Sequence, residues 1–214
     1  EDDANSFRFV DGELIHSSEG ANPASSNDSG ISTFALDWHP QGYSVFNSFD
    51  TFSNGYCTGS GYMKGIDVSV HNGYINWPQV KASGVDYAII RCGYGNDERG
   101  QDDARWLENV ANCQSAGMPF GVYIYSYATN TSMALSEANH VLRCLSDAGL
   151  SPSSLSYPIY FDMEDKSTAS APLVSIARTF CETIRGYGYS VGVYSSKSWW
   201  EGKLSDACFD NWYK

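Results

Sequence analysis

The chain of 214 residues has room for one ordinary globular domain plus some less regular chain, and its 42% hydrophobic and 18% charged composition excludes wholesale disorder. With 25 Asp and Glu against 13 Lys and Arg, the formal net charge is -12. A field of that sign, with no basic stripe anywhere, excludes a nucleic-acid binder.

The chain opens Glu1-Asp2-Asp3 with no basic-then-apolar leader, which reads as an end left after removal of a signal peptide. No run approaches the roughly 18 apolar residues of a membrane helix. From residue 1 to 61 the sequence is rich in Ser, Asn, Asp and Gly without a sustained apolar period, so 1–62 reads as a linker-like segment. The scattered aromatics of 34–62 suit either packing on the following domain or the end of an upstream module.

After Tyr62 the pattern turns regular. Strands are expected over 64–69, 85–92, 120–127, 158–163 and 190–195, each rich in Val, Ile, Tyr or Phe, with a sixth over 209–213. Helical stripes fall between them: Ala104, Leu107, Val110 and Ala111 before Gly117, and Leu135, Ala138, Val141, Leu142 and Leu145 before Gly149. A third helix takes Ser170 as N-cap and runs through Leu173, Ile176, Ala177, Phe180 and Ile184. Repeated strand, helix, strand order predicts an α/β fold with a parallel sheet, either a closed barrel or an open doubly wound sheet.

The six cysteines (Cys57, Cys92, Cys113, Cys144, Cys181, Cys208) show neither CxxC nor Cys/His metal spacing. Zinc is therefore not expected, and the helical and strand cysteines read as buried small hydrophobes, with disulfides left open. Gly93-Tyr94-Gly95-Asn96 makes no phosphate loop, since no Lys-Ser/Thr follows.

In both parallel architectures chemistry collects where strands run into loops. Those positions hold Asp67, Arg91, Tyr125, Asp162, Glu164 and Tyr194. In Tyr160-Phe161-Asp162-Met163-Glu164 the two acids share a strand face, with Cα atoms about 6.6 Å apart from twice the strand rise. Two carboxyls that close raise each other's pKa, so one can keep its proton beside an ionised neighbour, the pair that glycosidic bond cleavage asks for. The plain alternative is a solvated strand end that caps the next helix or pairs with Arg. Tyrosines such as Tyr125 and Tyr194 can stack on a pyranose, or can simply be core.

The stretch Gly65-Ile66-Asp67-Val68-Ser69 through Gly73-Tyr74-Ile75-Asn76-Trp77 resembles the opening of glycoside hydrolase family 25, the Ch-type lysozymes or N-acetylmuramidases. Four further stretches, 85–95, 121–128, 160–164 and 192–195, are similar to that family's later strands, in order. The resemblance implies a TIM-like (β/α) barrel over 63–214 that cleaves the β-1,4 bond between N-acetylmuramic acid and N-acetylglucosamine in bacterial peptidoglycan. It implies Glu164 as general acid, Asp162 as stabiliser of the transition state and Asp67 as a third acid contacting the sugar, unless Asp67 instead pairs with Arg91. Whether Asp162 orients the substrate's N-acetyl group or attacks directly stays open.

Tyr125, Tyr194, Arg91 and Tyr94 are expected to bind substrate, with Arg91 also able to pair with a carboxylate; His71 is left out as a surface residue. No cofactor or metal, a monomeric state, and a secreted or wall-associated location complete the expectation. The 152 residues from Met63 to Lys214 are fewer than an eight-stranded barrel needs, so the barrel is expected to be truncated at its C-terminus. A non-catalytic wall-binding module is the second reading. A chitinase-like hydrolase ranks lower, because its longer acidic pattern would want acids where Tyr157 and Tyr160 stand.

Overall fold

The computed structural model describes residues 7–10, 13–16 and 63–214. Strands β1 (Phe7–Val10) and β2 (Glu13–His16) form an antiparallel hairpin within the stretch read as linker. The remainder of 1–62, with the aromatics of 34–62 and Cys57, lies outside the described residues.

The five expected strands form one parallel sheet: β3 (Gly65–Val68), β4 (Tyr87–Tyr94), β5 (Phe120–Tyr125), β6 (Ile159–Asp162) and β7 (Val191–Tyr194). Their spatial order is their sequence order. Each right-handed crossover therefore steps the same way and leaves its helix on the same side, whereas a doubly wound sheet would reverse direction part-way. The sheet is open among the described residues, with five parallel strands. The segment read as a sixth strand is a 3-10 turn over Ala207–Asn211, and only Tyr213 beyond it pairs with the outer edge of β7.

Side-chain alternation divides the sheet into two faces. Ile90, Val122, Ile124, Phe161 and Val193 are buried under the helices, and Phe161 stacks on Phe180 with ring centroids 4.0 Å apart. Those helices are α1 (Trp77–Ala82), α2 (Trp106–Ser115), α3 (Thr131–Asp147), α4 (Leu173–Gly186) and α5 (Lys197–Gly202). On the opposite face, near the amino ends of the strands, Tyr87 stacks on Tyr157 at 4.3 Å. Tyr160 lies over Gly192, where a Cβ would come within 2.6 Å of its ring. These tyrosines floor the face on which the acids stand.

Three helix details differ from the sequence reading. In α2 the buried positions are Trp106, Asn109, Val110 and Cys113, and Leu107 is 55% exposed. The large indole at 106, whose Nε1 donates to the Cys144 carbonyl at 3.0 Å, sets the phase of the helix. In α3 a fully buried Glu137 and His140 join the core while Leu135 faces solvent. Helix α4 starts after Pro172 with no side-chain cap, so Ser170 lies two residues too early.

The phase of α2 is directly measurable. Leu107→Ala should change unfolding free energy by less than about 0.5 kcal/mol, and Trp106→Ala should cost about 3–5 kcal/mol, both read by urea denaturation.

Candidate active site

One row of residues crosses the sheet at its carboxyl end. Tyr94 of β4 is in register with Tyr125 of β5, Tyr125 with Asp162 of β6, and Asp162 with Tyr194 of β7. Tyr94 joins this row through a register shift between Arg91 and Gly93, an irregularity of the kind that re-aims a side chain at a strand end. One row further in, Arg91 is aligned with Tyr123, Tyr123 with Tyr160, and Tyr160 with Gly192. Asp67 stands on β3 at the edge of the same face, with Ile66 and Val68 on either side turned into the core.

Extended pairing runs past the end of β6. Met163 donates its N–H to the Tyr194 carbonyl at 2.8 Å, and its own carbonyl accepts from the Ser195 hydroxyl at 2.6 Å. Met163 is buried with Phe161, so Asp162 and Glu164 emerge together on the other face. Electrostatics place them there too. Burial, then the carboxylates of Asp162, Asp165 and Glu164 in that order, push the Tyr125 phenol above the ordinary tyrosine value. Its hydroxyl donates to Asp165 Oδ2 at 3.3 Å.

Asp67 and Arg91 meet at Tyr123. Burial and then the Asp67 carboxylate push that phenol well above its ordinary value, with Arg91 opposing and Asp162 adding. Arg91 Nε donates to Asp103 Oδ2 at 2.8 Å. The buried Asp103 carboxylate also accepts from the N–H groups of Val70 and Arg105, each at 2.9 Å. That clasp ties the loop after β3 to β4 and to the start of α2, which fixes the strand end that presents Asp67.

All seven residues singled out from the sequence thus lie on one face or one strand end. Their environment includes residues the sequence reading missed. Tyr127 is 42% exposed, with its ring 5.2 Å from Tyr125 and 6.3 Å from Tyr94, and it extends the aromatic surface outward. Asp165 caps the 3-10 turn after β6 by accepting from the Ser167 N–H at 2.9 Å. His71 is exposed, as expected.

Glu137 holds the loop that carries Tyr127. Its carboxylate accepts from the Ser126 hydroxyl at 2.7 Å and from the Tyr127 N–H at 2.8 Å, and the Ser126 N–H in turn donates to the Asp162 carbonyl at 2.9 Å. Burial outweighs these donors and raises the Glu137 carboxyl to about 7.

A separate group of ligand-type atoms lies on the helix side of β4. Asp102, His140 and Cys144 bring a carboxylate oxygen, an imidazole nitrogen and a sulfur within 4.8 Å of one another. Linear spacing hid this group, because Asp102 is 38 residues from His140. The five described cysteines are buried and none is in a disulfide; burial fits the apolar role read from their positions, except that Cys144 also belongs to this polar group.

The family model for glycosyl hydrolases family 25 matches residues 66–213, about two thirds of the chain. The chain belongs to glycosyl hydrolases family 25. Lysozyme M1 of Streptomyces globisporus is 26% identical over 159 residues, which cover 70% of this chain and 50% of that protein. The modular autolysin LytC from Streptococcus pneumoniae is 33% identical with a TM-score of 0.59, over 67% of this chain and 35% of that one. The catalytic domain of endolysin ply40 from bacteriophage P40 of Listeria monocytogenes shares the fold at 24% identity and a TM-score of 0.60, over 70% of this chain and 71% of that one. The chain therefore spans half the length of the curated relative it matches.

Glu137 supplies a pH test. Its folded pKa lies above the ordinary carboxyl value, so the folded state binds the extra proton between about pH 4.5 and 7. Stability from this group is therefore greatest at low pH and falls as pH rises through that window, by on the order of 3 kcal/mol. In urea denaturation at pH 5 and pH 7.5, Glu137→Gln should remove that part of the difference.

Proposed function

We propose that this chain is a muramidase that hydrolyses the β-1,4 bond between N-acetylmuramic acid and N-acetylglucosamine in bacterial peptidoglycan. The observation that carries the reading is the emergence of Asp162 and Glu164 on one face beside the Tyr125 phenol, at the carboxyl end of a parallel strand. Membership of family 25 and the likeness to Lysozyme M1 support the same chemistry.

In this reading Glu164 gives its proton to the leaving glycosidic oxygen as the bond to the anomeric carbon breaks. Asp162 stabilises the positive charge that develops on the sugar, either by orienting the acetamido group or directly. Water then adds to the anomeric carbon, and its remaining proton returns to Glu164. Asp67 hydrogen-bonds the sugar from β3, Arg91 stands beside it, and Tyr94, Tyr125 and Tyr194 offer ring faces and phenols to the pyranose. No cofactor enters this scheme.

Residues 63–214 are read as the catalytic domain, with 1–62 as a linker-like segment before it. The five-stranded sheet is read as part of a TIM-like barrel, since its strand order and one-sided helices are those of such a barrel. Peptidoglycan as substrate fits action outside the cell or at the wall by a monomer, and no helix among the described residues is long and apolar enough to cross a membrane. A non-catalytic wall-binding module is the second reading, favoured by the open sheet.

Digestion of purified peptidoglycan followed by mass spectrometry separates the two. A muramidase releases fragments ending in reducing N-acetylmuramic acid, and Glu164→Gln should cut that release by about 10²–10⁴-fold with an unchanged melting temperature. Pelleting with peptidoglycan without any release would establish the binding module instead. Reducing N-acetylglucosamine ends, or full activity in Glu164→Gln, would overturn the assignment.

A further inference from the structure

His140 and Cys144 are four residues apart on α3 and so share one helix face. Asp102 reaches them from the loop after β4, which pairs back onto Gly93. Asp102 Oδ1 lies 2.9 Å from His140 Nε2 and 3.9 Å from Cys144 Sγ. Zinc bond lengths of about 2.0–2.3 Å place tetrahedral ligand atoms roughly 3.3–3.7 Å apart, so small movements would bring all three atoms onto one ion.

The imidazole is held in a defined state. Its Nδ1 lies 3.1 Å from the Gly95 carbonyl, which can only accept, so Nδ1 carries a hydrogen. Its Nε2 then faces Asp102 Oδ1, another acceptor, since Arg143 donates to both oxygens of that carboxylate, at 2.9 and 2.6 Å. A bare lone pair against that oxygen would repel it, so a cationic centre has to stand between them. A proton on Nε2 bridges the imidazole and the carboxylate and leaves the Cys144 thiol donating to the Cys92 carbonyl at 3.7 Å; a metal ion engages nitrogen, oxygen and sulfur together. The ring cannot swing away, since it packs against Gly93 so tightly that a Cβ there would lie 2.7 Å from Cε1 and Nε2.

We propose that Asp102, His140 and Cys144 bind one divalent transition-metal ion of the zinc class between β4 and α3. Imidazole, thiolate and carboxylate are the donor set such ions prefer. The Nδ1–H bond to Gly95 and the Arg143 bonds to Asp102 are the outer hydrogen bonds that orient ligands of this kind. The carboxylates of Asp97, Asp102 and Asp147 stand around the guanidiniums of Arg143 and Arg99, and Asp102 also meets His140. The Asp102 side chain is 26% exposed and gives an ion its way in, while His140 and Cys144 are shut off from water. On binding, the ion replaces the Nε2 proton of the imidazolium and the thiol proton of Cys144, so two protons leave for each ion taken up. The bound ion would pin α3 to the loop after β4, a structural site independent of the peptidoglycan reading.

Cobalt titration of the whole chain, first stripped with a chelator, tests this without reference to activity. One equivalent of Co²⁺ should produce a sulfur-to-cobalt charge-transfer band in the near ultraviolet. Zn²⁺ should bleach that band and raise the melting temperature of the stripped protein. Cys144→Ser, nearly isosteric and so expected to fold, should lose the band and bind Zn²⁺ weaker by more than the roughly 100-fold that an outer-shell loss costs. Asp102→Asn should weaken Zn²⁺ while keeping the band. Absence of the band at millimolar Co²⁺, a melting temperature indifferent to Zn²⁺, or a band that survives in Cys144→Ser would each overturn the proposal and leave the cluster held by a proton.

Discussion

The carboxylate of Asp103 is the contact on which the sheet's working end depends. Its side chain is shut off from solvent, and a buried charge without partners would cost several kcal/mol. It is met by the Arg91 guanidinium and by the N–H groups of Val70 and Arg105, so one anion holds the loop after β3, the middle of β4 and the lead into α2. Removing it would take from Arg91 the carboxylate its Nε donates to and loosen the strand end of Asp67 at the same time. The rest of the site inherits its alignment from this edge through the parallel ladders.

Across those ladders the register does the remaining placement. Asp162 is flanked by Tyr125 on one side and Tyr194 on the other, so a buried acid has half-buried aromatic neighbours in both directions. Tyr94 reaches the row only because β4 slips its pairing near Cys92. A regular β4 would carry its even-numbered residues toward the helices, as Ile90 and Cys92 are carried. Beyond the strands, Glu137 anchors the turn that carries Tyr127, so helix α3 contributes to the shape of the face without touching it.

Period-two alternation made the strands legible, and the acids of β6 stood out because charge inside an apolar strand needs a reason. Strand ends moved by no more than two residues, a shift that leaves Asp67, Asp162 and Tyr194 on the face expected of them. Helix phase was harder to read. Leu107 and Leu135 look like core in a linear count, yet Trp106 and the polar pair Glu137 and His140 occupy the interior, because hydrogen bonds from distant loops satisfy them. Partners such as Asp103, Asp165 and Tyr127 came from loops, where no periodicity marks which side chain turns inward. Whether the sheet closes was beyond pattern reading for the same reason, since closure depends on pairing between segments far apart in sequence.

The tyrosines of the sheet face carry one more consequence. Burial holds the phenols of Tyr87, Tyr123, Tyr125 and Tyr160 above the value they would show in an extended chain, with neighbouring carboxylates or phenols adding to it. An unfolded chain releases those protons near pH 10 while the native one retains them. The native state therefore keeps its full advantage below pH 10 and loses about 1.4 kcal/mol per phenol for each pH unit above it. These four hydroxyls thus favour unfolding in alkali, and because one sheet face holds them all, they are exposed in the same event.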